Sequence, residues 1–184
     1  MASSDEFDVV VICSGNRFRS PIAEAVLRRA AEGLPVRVRS FGTMDLPPGN
    51  ALSEALELAS GYGLDLMAHR SCPLAGEDLS GADLVIGFER IHVSRAVVGA
   101  GAQHERTFLL TEVVPLLDET ALPEEGSVVE RARAAVQQAD ETRKAARGIP
   151  QEITDPIRGP AAGYRKTADE VYRLTTRLAE RLFG

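Results

Sequence analysis

DVVVICSGNRFRSP, residues 8–21, decides the fold, because it opens on a run that is apolar without alternation and rich in β-branched side chains. Such a run suits a strand covered on both faces, as in a parallel sheet. Ser14–Arg19 then reads as a short loop, Ser20 suits a helix N-cap and Pro21 the first helical position, and IAEAVLRRAAE carries apolar residues at helical spacing. Strand, tight loop and helix are therefore predicted.

Working outward, Pro35–Ser40 alternates like a second strand, Leu52–Tyr62 reads as a helix closed by Gly63, and Ala82–Phe88 as a third buried strand. Arg90–Val98 suits a short helix and Thr107–Leu110 a short fourth strand. Tyr164–Phe183 suits an amphipathic helix with Val171, Leu174, Leu178 and Leu182 on one face. The sum is an α/β fold: a three-layer open twisted sheet of about four parallel strands, with helices on both faces and right-handed crossovers. A single domain over residues 1–184 is expected, with a departure from the rhythm at 112–151. There a Pro- and Glu-rich linker (Pro115, Pro123, Glu124, Glu125, Gly126) precedes a helix capped by Ser127 and running to about Arg147. Its stripe of Val128, Ala132, Ala135, Val136 and Ala139 is thin, which suits a solvated surface helix, or else a lid or partner-binding segment.

Composition narrows the functional classes. The 184 residues carry 21 Lys and Arg against 27 Asp and Glu, a net charge of −6, which with dispersed cations argues against nucleic acid as a partner. A mean hydropathy of −0.09 and the absence of any apolar run near the ~18 residues of a span argue against a membrane protein. Met1–Asp8 is small and acidic, unlike a secretory signal. The two cysteines, Cys13 and Cys72, lie far apart and fit neither a zinc site nor a disulfide framework, so a reducing, cytoplasmic setting is expected. His92 and His104 have no partner at metal-ligand spacing and are read as surface or packing residues. No metal and no cofactor are implied.

The loop after the first strand carries the chemistry. Ligands of open parallel sheets bind at the carboxyl ends of strands, where a helix N-terminus offers free N–H groups to an anion. Cys13 stands at that point, and the Cys-x5-Arg spacing places the Arg19 guanidinium at the mouth of the helix. Backbone N–H groups of Ser14, Gly15, Asn16, Arg17 and Phe18 can wrap one tetrahedral anion, with Gly15 permitting a turn barred to other residues and Arg19 clamping two oxygens. The field that binds a dianion also favours a thiolate, which makes Cys13 an activated nucleophile. The alternative is a packed cysteine beside a surface arginine. A Walker loop is excluded by the missing Gly-Lys-Ser/Thr ending.

VVVICSGNRFRSPIAEAVL resembles the phosphate-binding loop and first helix of the low-molecular-weight protein tyrosine phosphatase family. SFGT (Ser40–Thr43), GLDLMAHR (Gly63–Arg70), ADLVIGFERIH (Ala82–His92) and TDP (Thr154–Pro156) follow in that family's order. The resemblance implies a metal-free, two-step phosphoryl transfer in which Cys13 attacks phosphorus and forms a phosphocysteine. Asp155 would protonate the leaving group and then activate water, and Arg19 with the loop would hold the equatorial oxygens. It also implies that Asn16, Ser20, Ser40 and His69 brace the loop. A phosphorylated protein or small phosphomonoester is the expected partner, and a monomer or weak homodimer the expected state.

Some positions depart from that family's pattern. A second cysteine often precedes the loop arginine; here it is Phe18. Aromatic residues often follow the Asp-Pro pair and stand after the second strand; here the positions hold Ile157, Arg158 and Leu46. Together with Arg17 these form the expected specificity rim. Weaker ring stacking and the Arg17 charge point to an anion-bearing phosphoester, such as a sugar phosphate or an acidic phosphopeptide. Two further readings share the fold. One is an arsenate reductase that borrows a small thiol, since Cys72 is read as a packed residue. The other is a phosphate-binding module without turnover, docking an acidic partner on Arg131, Arg133, Arg143, Lys144 and Arg147.

Overall fold

A computed structural model describes residues 5–121, 125–145 and 148–184. The apolar run at the start forms β1 (Phe7–Cys13), the buried middle of a parallel four-stranded sheet in the order β2-β1-β3-β4, with β2 at Val36–Gly42, β3 at Leu84–Gly87 and β4 at Thr107–Leu109. Between the strands run α1 (Arg19–Ala30), α2 (Ser53–Gly61) and α3 (Arg90–Ser94), which widens into a π-type turn over Arg95–Gly99. After β4 come α4 (Leu110–Asp118), α5 (Val128–Ala145) and α6 (Ala161–Phe183).

The unbroken hydrophobicity of β1 has a plain cause. Phe7, Val9, Val11 and Cys13 enter a large core formed with α1, α2, α4, α5 and α6, whereas Val10 and Ile12 enter a smaller one with Phe41, Leu74, Leu79, Val85, Ala96 and Ala100. The helices therefore cover both faces unequally: the second face is closed by the π-type turn and the Leu74–Ala82 loop. Asp8, the one charge in the run, is buried at its edge and accepts hydrogen bonds from both Arg37 and Arg39 of the neighbouring strand.

The 112–151 reading needs correction. Residues around Pro115 are helical, not linker, because Leu110, Val113, Val114 and Leu117 bury one face and outweigh the backbone hydrogen bond that Pro115 cannot make. Ser127 caps α5 as expected, its hydroxyl accepting from the Glu130 N–H at 3.3 Å while the Glu130 carboxylate accepts from the Ser127 N–H at 2.8 Å. α5 is no solvated strap, since Val129, Ala132, Ala135, Val136 and Ala139 all join the main core. Three of the five cations expected to dock a partner, Arg133, Arg143 and Lys144, are paired within the fold, while Arg147 lies outside the described residues. Arg133 pairs with Asp83 at 2.8 Å, and Arg143 and Lys144 pair with Asp140 at 2.5 and 2.7 Å. Burial alone would raise the Asp140 carboxyl, but the hydrogen bonds from Lys144 and Arg143 outweigh it and hold it below the usual carboxylate range. The proposed end of α5 at Arg147, and the linker residues Pro123 and Glu124, lie outside the described residues.

Candidate active site

The site is built where β1, β2 and β3 end. α1 begins at Arg19, one residue before the position expected of its cap, so Ser20 lies inside the first turn and leaves its hydroxyl free for the loop. That hydroxyl sits 3.0 Å from Cys13 Sγ, and the Asn16 N–H donates to the same sulfur at 3.2 Å. Both contacts bring hydrogen-bonding groups onto the sulfur. Cys13 itself is buried.

Asn16 is the keystone of the loop. Fully buried and at φ +52°, it occupies the left-handed region, which a short amide tolerates better than most side chains. Its amide nitrogen donates to Ser20 Oγ at 2.9 Å and Ser40 Oγ at 2.7 Å, and its amide oxygen accepts from the Cys72 N–H at 2.8 Å. The Asn16 carbonyl lies 2.8 Å from His69 Nε2. All four bracing residues expected from the sequence thus meet, and Glu24, which the sequence did not single out, joins them by accepting from Ser40 Oγ at 2.5 Å. Gly42 is required here by close approach, since a Cβ on it would stand 3.0 Å from the Gly15 carbonyl carbon and 3.0 Å from the Ser14 oxygen.

Arg19 is no surface charge. It is fully buried beneath the loop, its Nη1 donating to Glu89 Oε2 and the Ile153 carbonyl, both at 2.7 Å. Its Nη2 donates to Asp155 Oδ2 at 2.7 Å and Ser14 Oγ at 3.0 Å. The remaining donor, Nε, is sealed from solvent and has no partner. A buried, uncompensated guanidinium N–H costs free energy that an anion accepting from it would recover. The segment bearing Asp155 is pinned by the Ile153 N–H on the Phe88 carbonyl at 2.9 Å, and its turn by the Arg158 N–H on the Tyr164 hydroxyl at 3.2 Å.

Two residues of this centre were missed or misread. Glu89 was not singled out, and His92, read as a surface or packing residue, is fully buried, with Nε2 3.1 Å from Ser14 Oγ. Burial and the nearby Arg19 push its pKa down to about 3, so the ring is neutral. Their place just past the end of β3 was the available signal, since residues there face the ligand crevice of an open sheet. The rim also differs from expectation. Arg17 donates to the Pro47 carbonyl at 2.8 Å and to Ser71 Oγ at 3.4 Å, tying the loop to its neighbour. Leu46 lies over Gly15, Ile157 is exposed, and Phe18 is buried edge-on against Tyr164. Cys72, expected to be packed, is exposed, and both thiols are free. Among the described residues no cluster of His, Cys, Asp or Glu is arranged to hold a metal ion, and no helix is long and apolar enough to cross a membrane.

Known proteins share this fold. The model of the low molecular weight phosphotyrosine protein phosphatase family matches residues 8–124. A protein-arginine-phosphatase from Bacillus subtilis (strain 168) is 29% identical over 177 residues, covering 95% of this chain and 96% of that protein. The tyrosine phosphatase Etp from Escherichia coli (strain K12) is 32% identical over 101 residues, covering 55% of this chain and 67% of Etp. Among solved structures, a low molecular weight protein tyrosine phosphatase from T. tengcongensis superposes with a TM-score of 0.70 at 27% identity, covering 96% of this chain and 100% of that one. The YwlE arginine phosphatase, in a mutant with a phosphorylated active-site serine, does so at 0.68 and 28%, covering 96% and 95%. With the family model matching well over half its length, and the parallel sheet and anion loop in place, this chain belongs to the low molecular weight phosphotyrosine protein phosphatase family and is a phosphatase of that type.

Proposed function

We propose that this phosphatase works without a metal, through a phosphocysteine on Cys13, and that phosphoarginine in proteins is its preferred substrate. The observation carrying the mechanism is the convergence of the Cys13 sulfur, the bare Nε of Arg19 and the Asp155 carboxyl around one anion-sized loop. The thiolate attacks phosphorus along the line of the leaving group, forming the S–P bond as the P–N bond breaks. The Asp155 carboxyl gives its proton to the departing guanidine nitrogen. Water then attacks phosphorus, Asp155 takes its proton, and the S–P bond breaks to return thiolate and inorganic phosphate. Arg19 and the loop N–H groups carry the equatorial charge in both steps. Ion pairs to Asp155 and Glu89 keep the Arg19 guanidinium ordered beneath the loop.

The rim favours phosphoarginine. Leu46 lies over Gly15, Met44 and Ile157 are exposed and without rings, and among the described residues no Phe or Tyr is exposed to stack on a phenol ring. Arg17, invoked for an anion-bearing substrate, is turned to Pro47 and Ser71 of the neighbouring segment. Two sequence relatives aligned nearly end to end are named protein-arginine-phosphatases, whereas the tyrosine phosphatase Etp aligns over about half the chain; the tyrosine phosphatase from T. tengcongensis also superposes over its full length, so the names alone leave the choice to the rim. Two free thiols suit a reducing, cytoplasmic setting, with the chain a monomer or weak homodimer.

The test compares kcat/KM for phosphoarginine, phosphotyrosine and acidic phosphoserine peptides, a sugar phosphate and p-nitrophenyl phosphate, all in chelator, for wild type and Cys13→Ser. Phosphoarginine should lead and every activity should vanish in the variant. A lead for phosphotyrosine or for the sugar phosphate would overturn the substrate reading. Turnover surviving in Cys13→Ser, or arsenate reduction with added thiol in place of hydrolysis, would overturn the mechanism.

A further inference from the structure

The proton inventory around Ser14 reaches beyond the loop chemistry, and it rests on the phosphatase reading above. His92 Nδ1 accepts two backbone hydrogen bonds, from the Phe88 N–H at 3.2 Å and the Glu89 N–H at 3.1 Å. A nitrogen accepting from N–H donors carries no proton of its own. The ring is neutral because burial and Arg19 oppose a second charge, so its single proton sits on Nε2. Nε2 faces Ser14 Oγ at 3.1 Å, with Glu89 Oε2 farther off at 3.5 Å. His92 therefore donates to the Ser14 hydroxyl, and so does Arg19 Nη2, at 3.0 Å. A hydroxyl oxygen has two lone pairs, and both are taken. The Ser14 proton can only point along the one direction left, and Ser14 stands between the nucleophile Cys13 and the turn at Gly15, with Arg19 Nη2 shared between it and Asp155.

We propose that Ser14 is a side-chain hydrogen-bond donor to the transferring phosphoryl group, and that His92 is the positioning residue that turns the Ser14 hydroxyl into a donor only. The backbone amides at Phe88 and Glu89 fix the tautomer, the tautomer fixes the hydroxyl, and the hydroxyl meets charge that grows on the equatorial oxygens. Such a donor is oriented before the substrate arrives, so no reorganisation is needed as the charge develops. This also accounts for a fully buried histidine so close to a guanidinium, a placement that core packing alone would fill better with a leucine.

The test uses orthovanadate, which adopts the five-coordinate geometry of the transfer, alongside p-nitrophenyl phosphate turnover. Ser14→Ala should weaken vanadate inhibition and lower kcat by about 10-fold to 100-fold, the range for losing a hydrogen bond to a charged group. His92→Leu should lose a similar factor, and the double variant little more than either single one, because both remove the same donor. His92→Gln, whose amide N–H reaches the Nε2 position, should recover most of the loss. In ¹⁵N-labelled wild type, His92 should show bare Nδ1 and protonated Nε2 from pH 5 to 8. Vanadate inhibition and kcat unchanged in a folded Ser14→Ala, additive losses in the double variant, or a proton on Nδ1 would overturn the proposal. Wild type that neither binds vanadate nor turns over would overturn the phosphatase reading with it.

Discussion

Acid should destabilise this protein through His92, and the size of the effect follows from its surroundings. The imidazole accepts two backbone hydrogen bonds at Nδ1, and its burial, with the Arg19 guanidinium nearby, holds its pKa at about 3 against an ordinary 6.5. A folded-state pKa below the unfolded one means that the unfolded chain binds the proton first. The stabilisation is complete above pH 6.5 and drains away as pH falls from there towards 3. The slope over that window is about 1.4 kcal/mol per pH unit, so folding at pH 5 should lose about 2 kcal/mol relative to pH 7.5 from this residue alone. Urea unfolding at the two pH values, on wild type and His92→Asn, isolates the term. The Asn amide oxygen can take the place of Nδ1 under the Phe88 and Glu89 N–H groups, and Arg19, Glu89, His69 and His104 remain in both proteins. Whatever the substitution costs at pH 7.5, its further loss on going to pH 5 should be smaller than wild type's by about 2 kcal/mol. Equal losses in the two proteins would refute the reasoning.

Asp155→Asn should lower kcat by about 10²-fold to 10⁴-fold, the range for removing a general acid, most severely for substrates with poor leaving groups; comparing p-nitrophenyl phosphate with an alkyl phosphate reads it. Asn16→Ala removes three side-chain hydrogen bonds and forces a Cβ-bearing residue without a local amide to keep φ +52°, so denaturant unfolding should show a loss of about 3–5 kcal/mol. Asn16→Gly should lose about 1 kcal/mol less, because glycine accepts that backbone. Gly42→Ala drives a methyl against the Gly15 and Ser14 backbone, and displaced loop donors should cost on the order of 10-fold to 100-fold in kcat/KM with a lesser effect on stability.

Sequence alone determined the elements that local chemistry controls. The β-branched run to Cys13 could only be a strand with both faces covered, the Cys-x5-Arg spacing placed a thiol and a guanidinium on one turn, and the Ser127–Glu130 capping box set the start of α5. In each case the deciding atoms lie within a few residues of one another. Tertiary structure decided what depended on distant partners. Arg19 became a buried hub because Glu89, Ile153 and Asp155, remote in sequence, surround it, and Arg17 was drawn to Pro47 and Ser71. α4 formed through Pro115 because its apolar face found α6 to cover it, a gain that no propensity records. His92 shows the limit most clearly: an isolated histidine reads as packing, and only the two amides on one nitrogen and the serine on the other reveal where its proton must be.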